Sequence, residues 1–264
     1  MNVQPPEVVI FPKAYIQQII KLNEGNSVNA IDQLIGIKPQ KVGHGYDMTS
    51  NILYKEGIET YTHGNILAKL NMHNFMHVLG YDSIMGISFF MKVDGPLFSE
   101  ILPTLPVREY AAVLYQIFYV IYSMATKAKL INMDLHDANI MISNNRTLYT
   151  GITRTKIKCQ DKEVMTDLVP VFIDYDIIET IESEDKQISA LRRYIDSVLN
   201  FYWDTETHYW SEWTIDDVKT HGLSYETTFR ANIDVLMALY AVPTQNRSVD
   251  QYYSDLISTL CTFL

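Results

Sequence analysis

The 264-residue sequence predicts an α+β fold in two lobes, a small mixed lobe followed by a larger, mostly helical one. Three observations lead there. Short apolar runs with strand character alternate with brief helical stretches up to about residue 93. The segment VREYAAVLYQIFYVIYSMATKAKL then reads as one long helix: Leu114, Phe118, Ile121 and Ala125 repeat at helical spacing, and Ile117 and Val120 fill other faces, so burial nearly all round is expected. After a polar loop and three strand-like pieces, the remainder reads as helices.

Taken in order, residues 1–40 carry two short helical patterns, KAYIQQIIKLN and VNAIDQLIG, separated by the turn-forming EGNS, and form an N-terminal appendage. Residues 41–93 form the small lobe. In it Lys38 to Lys55 suggests a β-hairpin with glycines at its turn and a strand over Asn51 to Lys55, Asn65 to Leu70 allows one or two helical turns, and Ile84 to Val93 has the aromatic, apolar look of a buried strand. Residues 94–264 form the large lobe. It opens on the break Asp94-Gly95-Pro96, passes through a short helix into the long one, and reaches the loop INMDLHDANIMIS. Strands are expected at Asn139 to Ser143, Arg154 to Cys159 and Val169 to Ile173, the last ending in Asp174-Tyr175-Asp176. Helices follow at about Lys186 to Trp203, from Thr214-Ile-Asp-Asp217, over Thr228 to Tyr240, and from Ser248, where Gln251 three residues on completes a capping box.

Composition narrows the function. A hydrophobic fraction of 47% supplies a packed core, and 21 basic against 31 acidic residues give a formal charge of −10, which argues against a broad nucleic-acid surface. The most apolar run, Ala111 to Ala125, is interrupted by Gln116 and Ser123 and is shorter than the roughly 20 residues of a membrane helix. No basic, then apolar, leader opens the chain. Two cysteines, Cys159 and Cys261, allow at most one pairing, and a reducing compartment is the simpler reading, so an intracellular, cytoplasmic protein is expected. Oligomeric state is not encoded in any pattern we find.

The chemistry concentrates in the polar loop. Asp134 and Asn139 stand five apart after a long helix, and Asp174 closes a later strand. Phosphoryl transfer from Mg-ATP calls for that set: one carboxylate to orient an accepting hydroxyl and take its proton, and an amide oxygen with a second carboxylate to hold the metal. Hard Mg²⁺ prefers oxygen ligands and keeps several waters, so two protein ligands suffice. A plainer account of Asp134 and Asn139 is a capped turn, since both side chains bond local backbone. On plain grounds His136 is expected to bond the loop backbone and Asp137 to be solvated.

NMDLHDANIMI followed by VFIDYD resembles the catalytic loop and metal-binding segment of the protein-kinase-like superfamily, and looks most like the compact Ser/Thr kinases of large DNA viruses. Asn132-Met133-Asp134 stand where His-Arg-Asp stand in that family, and Tyr175-Asp176 where Phe-Gly follow the metal-binding Asp. The resemblance implies a two-lobed kinase-like fold with a reduced N-lobe, with ATP and Mg²⁺ as cofactors. It implies Asp134 as catalytic base, Asn139 and Asp174 as metal ligands, and Val93-Asp94-Gly95 near the hinge that borders the adenine. Asp196 would be the buried Asp that anchors the catalytic-loop backbone. In the small lobe Gly43-His44-Gly45 matches the Gly-rich loop in part, and Lys55 is the best phosphate-binding Lys. Glu59 lies closer to Lys55 than the family's partner Glu does. Met133 replaces the Arg through which a phosphorylated activation loop acts, and residues 175 to 195 hold no Ala-Pro-Glu-like sequence. The acidic stretch Ile181 to Lys186 favours basic partners.

Three functions stay open at this stage. The first is an ATP- and Mg-dependent protein serine/threonine kinase acting on a protein substrate. The second is a pseudokinase that uses the same fold to bind a protein partner. The third is a small-molecule kinase of the aminoglycoside or choline type, which Asp176 and the missing peptide platform favour.

Overall fold

A computed structural model describes residues 52–56, 59–70, 72, 74–76, 78–82, 87–91, 93, 95–144, 155–159, 162–174, 177–207 and 227–264. The expected appendage at 1–40, Gly43, Gly45, Asp94, Tyr175, Asp176 and the helix start at Thr214 lie outside them. The first lobe is a three-stranded antiparallel sheet, order β1-β3-β2, made of β1 (Ile52–Glu56), β2 (Val78–Asp82) and β3 (Ile87–Met91). Lys55 pairs with Ser88 across β1 and β3, and a bulge interrupts the β2 register between Val78 and Gly80. Between β1 and β2 runs α1 (Glu59–Ala68). It starts earlier than expected because packing overrides the helix cost of Gly64: Gly64 is itself buried, and Leu67 is fully buried in the core.

The segment between α1 and β2 ties the first lobe to β8 of the second, whose range is Leu168–Phe172. Phe172 N donates to Asn74 O at 2.8 Å, Met76 N donates to Phe172 O at 2.9 Å, and Asn74 Nδ2 donates to Pro170 O at 2.8 Å. Farther on, Ile142 N donates to Pro96 O at 2.9 Å. Gly95 sits at φ +148°, and a Cβ on it would lie 2.0 Å from Ile142 O. Only glycine permits that approach.

Short α2 (Phe98–Ile101) leads through a 3₁₀ turn to α3 (Val107–Ser123), the predicted long helix, which continues as a π-type turn over Met124–Ala128. Tyr110, Leu114, Ile117, Phe118 and Ile121 are buried, while Tyr119 is exposed, so burial falls short of all round at one stripe. Lys129, at φ 57°, turns the chain into β4 (Leu130–Asn132). After the polar loop come β5 (Ile140–Asn144), β6 (Thr155–Cys159), β7 (Lys162–Thr166), β8 (Leu168–Phe172) and β9 (Ile178–Thr180). They pair as antiparallel couples, β4 with β9, β5 with β8, and β6 with β7. Among the described residues the lobe continues in α4 (Glu184–Thr207), α5 (Thr227–Tyr240) and α6 (Val249–Cys261). The capping box of Ser248 and Gln251 is present at the start of α6.

Strands β2, β4, β7 and β9 were not expected from the sequence, since each draws its stability from its partner strand; the long helix was expected to run on through Leu130. The cysteines require a correction. A reducing-compartment reading expects two thiols, whereas the structure joins Cys159 to Cys261 in a disulfide across 102 residues. The β6–β7 hairpin folds Cys159 against the end of α6 in a small cluster with Ala112, Ile157 and Val164, separate from the main core. No helix among the described residues is long and apolar enough to cross a membrane.

Candidate active site

Asp134 lies in the turn that leaves β4, and its position is set from the residue before the turn. Asn132 is 5% exposed. Its Oδ1 accepts Asp134 N at 2.9 Å, and its Nδ2 donates to Asp174 O at 2.7 Å. One buried amide thus ties the backbone of Asp134 to the backbone of Asp174, 40 residues apart in sequence. Asn139 ends a 3₁₀ turn over Asp137–Asn139 and closes the other side. Its Nδ2 donates to Asp134 O at 2.8 Å and to Asp134 Oδ2 at 3.1 Å, while its main-chain oxygen accepts Ile173 N at 3.1 Å. Asp134, Asn139 and the Asp174 backbone are therefore brought together.

With both amide hydrogens of Asn139 engaged by Asp134, its Oδ1 is the atom left to face a cation. The side chain of Asp134 is half exposed, with its Oδ1 3.8 Å from His136 Nε2. His136 bonds the loop backbone, as expected: its Nδ1 accepts Ala138 N at 3.2 Å. Among the described residues no group of three or more His, Cys, Asp or Glu side chains gathers as a metal cluster. An amide and a carboxylate, both hard oxygen donors completed by water, fit Mg²⁺ rather than a soft transition metal.

The loop is clamped from below by one face of α4. Arg193 Nη2 donates to Met133 O at 2.8 Å, Ser197 Oγ donates to Leu135 O at 3.2 Å, and the Tyr194 hydroxyl donates to Asp137 Oδ1 at 2.7 Å. Two expectations are corrected here. Asp196 does not anchor the loop as a buried carboxylate: its side chain is 48% exposed and pairs with Arg192 Nε at 3.2 Å, one helical turn back. The helix turns Arg193 and Ser197 toward the loop instead, and Asp196 falls beside them. Asp137 is not solvated but 1% exposed, and burial pushes its carboxyl up to about 7 against a smaller opposing effect of the Tyr194 hydrogen bond.

No protein-family model matches the chain, and no curated protein matches it. The solved structures to which the chain is similar include two kinases. The Rad53 kinase domain with SCD2 aligns over 80% of this chain and 78% of that chain at 13% identity, with a TM-score of 0.49. The Rio2 kinase–ADP/Mg²⁺–phosphoaspartate complex from Chaetomium thermophilum aligns over 78% of this chain and 53% of that chain at 15% identity, with a TM-score of 0.37. Similarity of this degree concerns shape alone. The chemistry rests on the residues above.

In the first lobe, Lys55 occupies β1 opposite Ser88, and Glu59 is exposed in the first turn of α1. Val93 is 1% exposed and belongs to the main core. Asn132, Arg193, Tyr194 and Ser197 are site residues whose roles sequence reasoning missed. The last three stand at i, i+1 and i+4, which marks one helix face, but only the fold shows that this face meets the loop.

Proposed function

We propose that the protein is a Mg-ATP-dependent phosphotransferase that moves the γ-phosphoryl group to a hydroxyl, with a serine or threonine of a protein substrate as acceptor. The observation that carries this reading is the Asn132 bridge, which holds the backbones of Asp134 and Asp174 together beside Asn139. Asp134 is the base: half exposed and oriented by Asn139, it accepts the proton of the incoming hydroxyl. Asn139 and Asp174 would hold Mg²⁺, which would supply neutralising charge for the phosphate oxygens. Lys55, Gly43 and Gly45 are assigned to the phosphates, and Val93 to the adenine side of the hinge. Beside Met133 a cleft of about 400 Å³ opens between β9 and α4, walled by Glu179, Lys186 and Arg193. Exposed Glu182 and Asp185 favour basic residues in the protein substrate.

A second reading, transfer to a small molecule, is favoured by one observation. Helix α4 begins ten residues after Asp174, and β9 takes three of the intervening positions, so little chain remains to cradle an extended peptide.

Thermal melts with and without Mg-ATP test the site. Wild type is expected to gain stability with millimolar Mg-ATP, and Asp174→Ala to lose most of that gain, because only ligand binding to the native state raises the melting temperature. Asp134→Asn should keep the gain and lose nearly all transfer. Absence of any nucleotide shift in the wild type rejects the reading in favour of a binding role. Transfer to amino sugars or choline and not to a basic protein selects the second reading.

A further inference from the structure

Asp137 is a carboxyl kept where a carboxyl is costly. Its Oδ1 accepts the Tyr194 hydroxyl at 2.7 Å, while its Oδ2 is buried with no hydrogen-bond partner among the described residues. Taking such a group out of water costs more than one hydrogen bond returns. An apolar residue of the same size would serve a purely structural core position better.

What the pair does is hold one point of the loop still. Tyr194 is fully packed, its ring edge-on to Phe118 of α3 at 5.8 Å and 83°. It is flanked on α4 by Arg193 and Ser197, which bond the loop at Met133 and Leu135. Those two contacts reach the loop before Asp137. Of the three bonds from α4, that of Tyr194 is the one that reaches the second half, where Asp137 opens the 3₁₀ turn that ends at Asn139 and accepts Ile140 N on its carbonyl, and where Ile173 N holds Asn139 O from the side of β8.

We infer that Tyr194 and Asp137 form a positioning pair that holds the 3₁₀ turn so that Asn139 keeps its amide hydrogens on Asp134 and its Oδ1 toward the metal. This deepens the phosphotransferase reading and rests on it for its catalytic consequence. The conformational consequence stands apart from that reading: loss of the pair frees the turn whether or not the site transfers phosphate.

The test uses the full chain and three variants. Tyr194→Phe removes only the hydroxyl, Asp137→Asn keeps an oxygen for it, and Asp137→Leu keeps the volume without an acceptor. Tyr194→Phe is expected to lower kcat about tenfold, the effect of losing one hydrogen bond in the reacting geometry, with KM for ATP within about twofold of wild type. Amide exchange at Ala138 and Asn139 should quicken in the same variant without nucleotide. Asp137→Asn should stay within about threefold of the wild-type kcat, and Asp137→Leu should match Tyr194→Phe even if it melts higher. Wild-type kcat and exchange in Tyr194→Phe overturn the inference, as does an Asp137→Asn variant as impaired as Asp137→Leu. If the wild type transfers phosphate to no acceptor, the exchange arm decides alone. Faster exchange then upholds the pair and discards the phosphotransferase reading, and unchanged exchange overturns the pair.

Discussion

Asn132 spends one side chain on two backbone groups, Asp134 N and Asp174 O, and is buried while doing so. Asn132→Ala removes both of those bonds. Loss of about 1–3 kcal/mol of stability is expected, with at least a tenfold fall in transfer rate and a smaller Mg-ATP shift, measured by melts and initial rates. Asp137 makes a separate prediction about pH. Its carboxyl is raised to about 7 by burial, against an ordinary value of 3.8, so the folded state binds the extra proton between those values. The resulting stabilisation is fully present below about pH 4, falls as pH rises, and is gone above about pH 7. Other carboxylates slope differently, so the quantity to measure is the difference between wild type and Asp137→Asn by denaturant titration. That difference should change by on the order of 4 kcal/mol against the wild type between pH 4 and pH 8. A flat difference would mean that the carboxyl titrates normally.

Elements meet at the site through backbone as much as through side chains. Strand β5 receives Pro96 O on Ile142 N and presents Ile142 O to the bare Cα of Gly95. Gly95→Ala introduces a Cβ into backbone at a φ that L side chains rarely adopt. A loss of about 3 kcal/mol or more is expected, with the Pro96–Ile142 hydrogen bond broken, and denaturant melts together with amide exchange at Ile142 check it. Helix α4 shows the complementary case. Its pattern of apolar and polar residues is plain, yet which polar face reaches the polar loop depends on how the helix is rotated against α3, and the T-shaped contact of Tyr194 with Phe118 belongs to that packing. Asp196 was the natural choice in the sequence because a carboxylate commonly anchors loop backbone. Arg193 and Ser197 do that work because they lie on the side that faces inward.

For the molecule as a whole, the Cys159–Cys261 disulfide ties the β6–β7 hairpin to the last turn of α6. Closing a loop of 102 residues restricts the unfolded chain and contributes about 4 kcal/mol. Reductant, or Cys261→Ser, should lower the melting temperature by on the order of 10 °C, with the largest gain in amide exchange at 155–166 and little at 139–143. Equal melts with and without reductant would show that the bond does not form in solution. The net charge of −10 acts at the same scale, favouring the approach of cationic groups in a manner that added salt should weaken.

The sequence by itself determined the long buried helix and the capped last helix, and it singled out Asp134, Asn139 and Asp174 as candidates, because periodicity, capping and short-range spacing are local properties written residue by residue. Tertiary structure alone decided that Asn132 bridges two of the trio, that Asp137 is buried against Tyr194, that Arg193 and Ser197 rather than Asp196 hold the loop, and that the two cysteines meet. Each of these joins residues 40 or more apart in the chain. Helix rotation and strand register, which no local pattern encodes, select such pairs when the core closes.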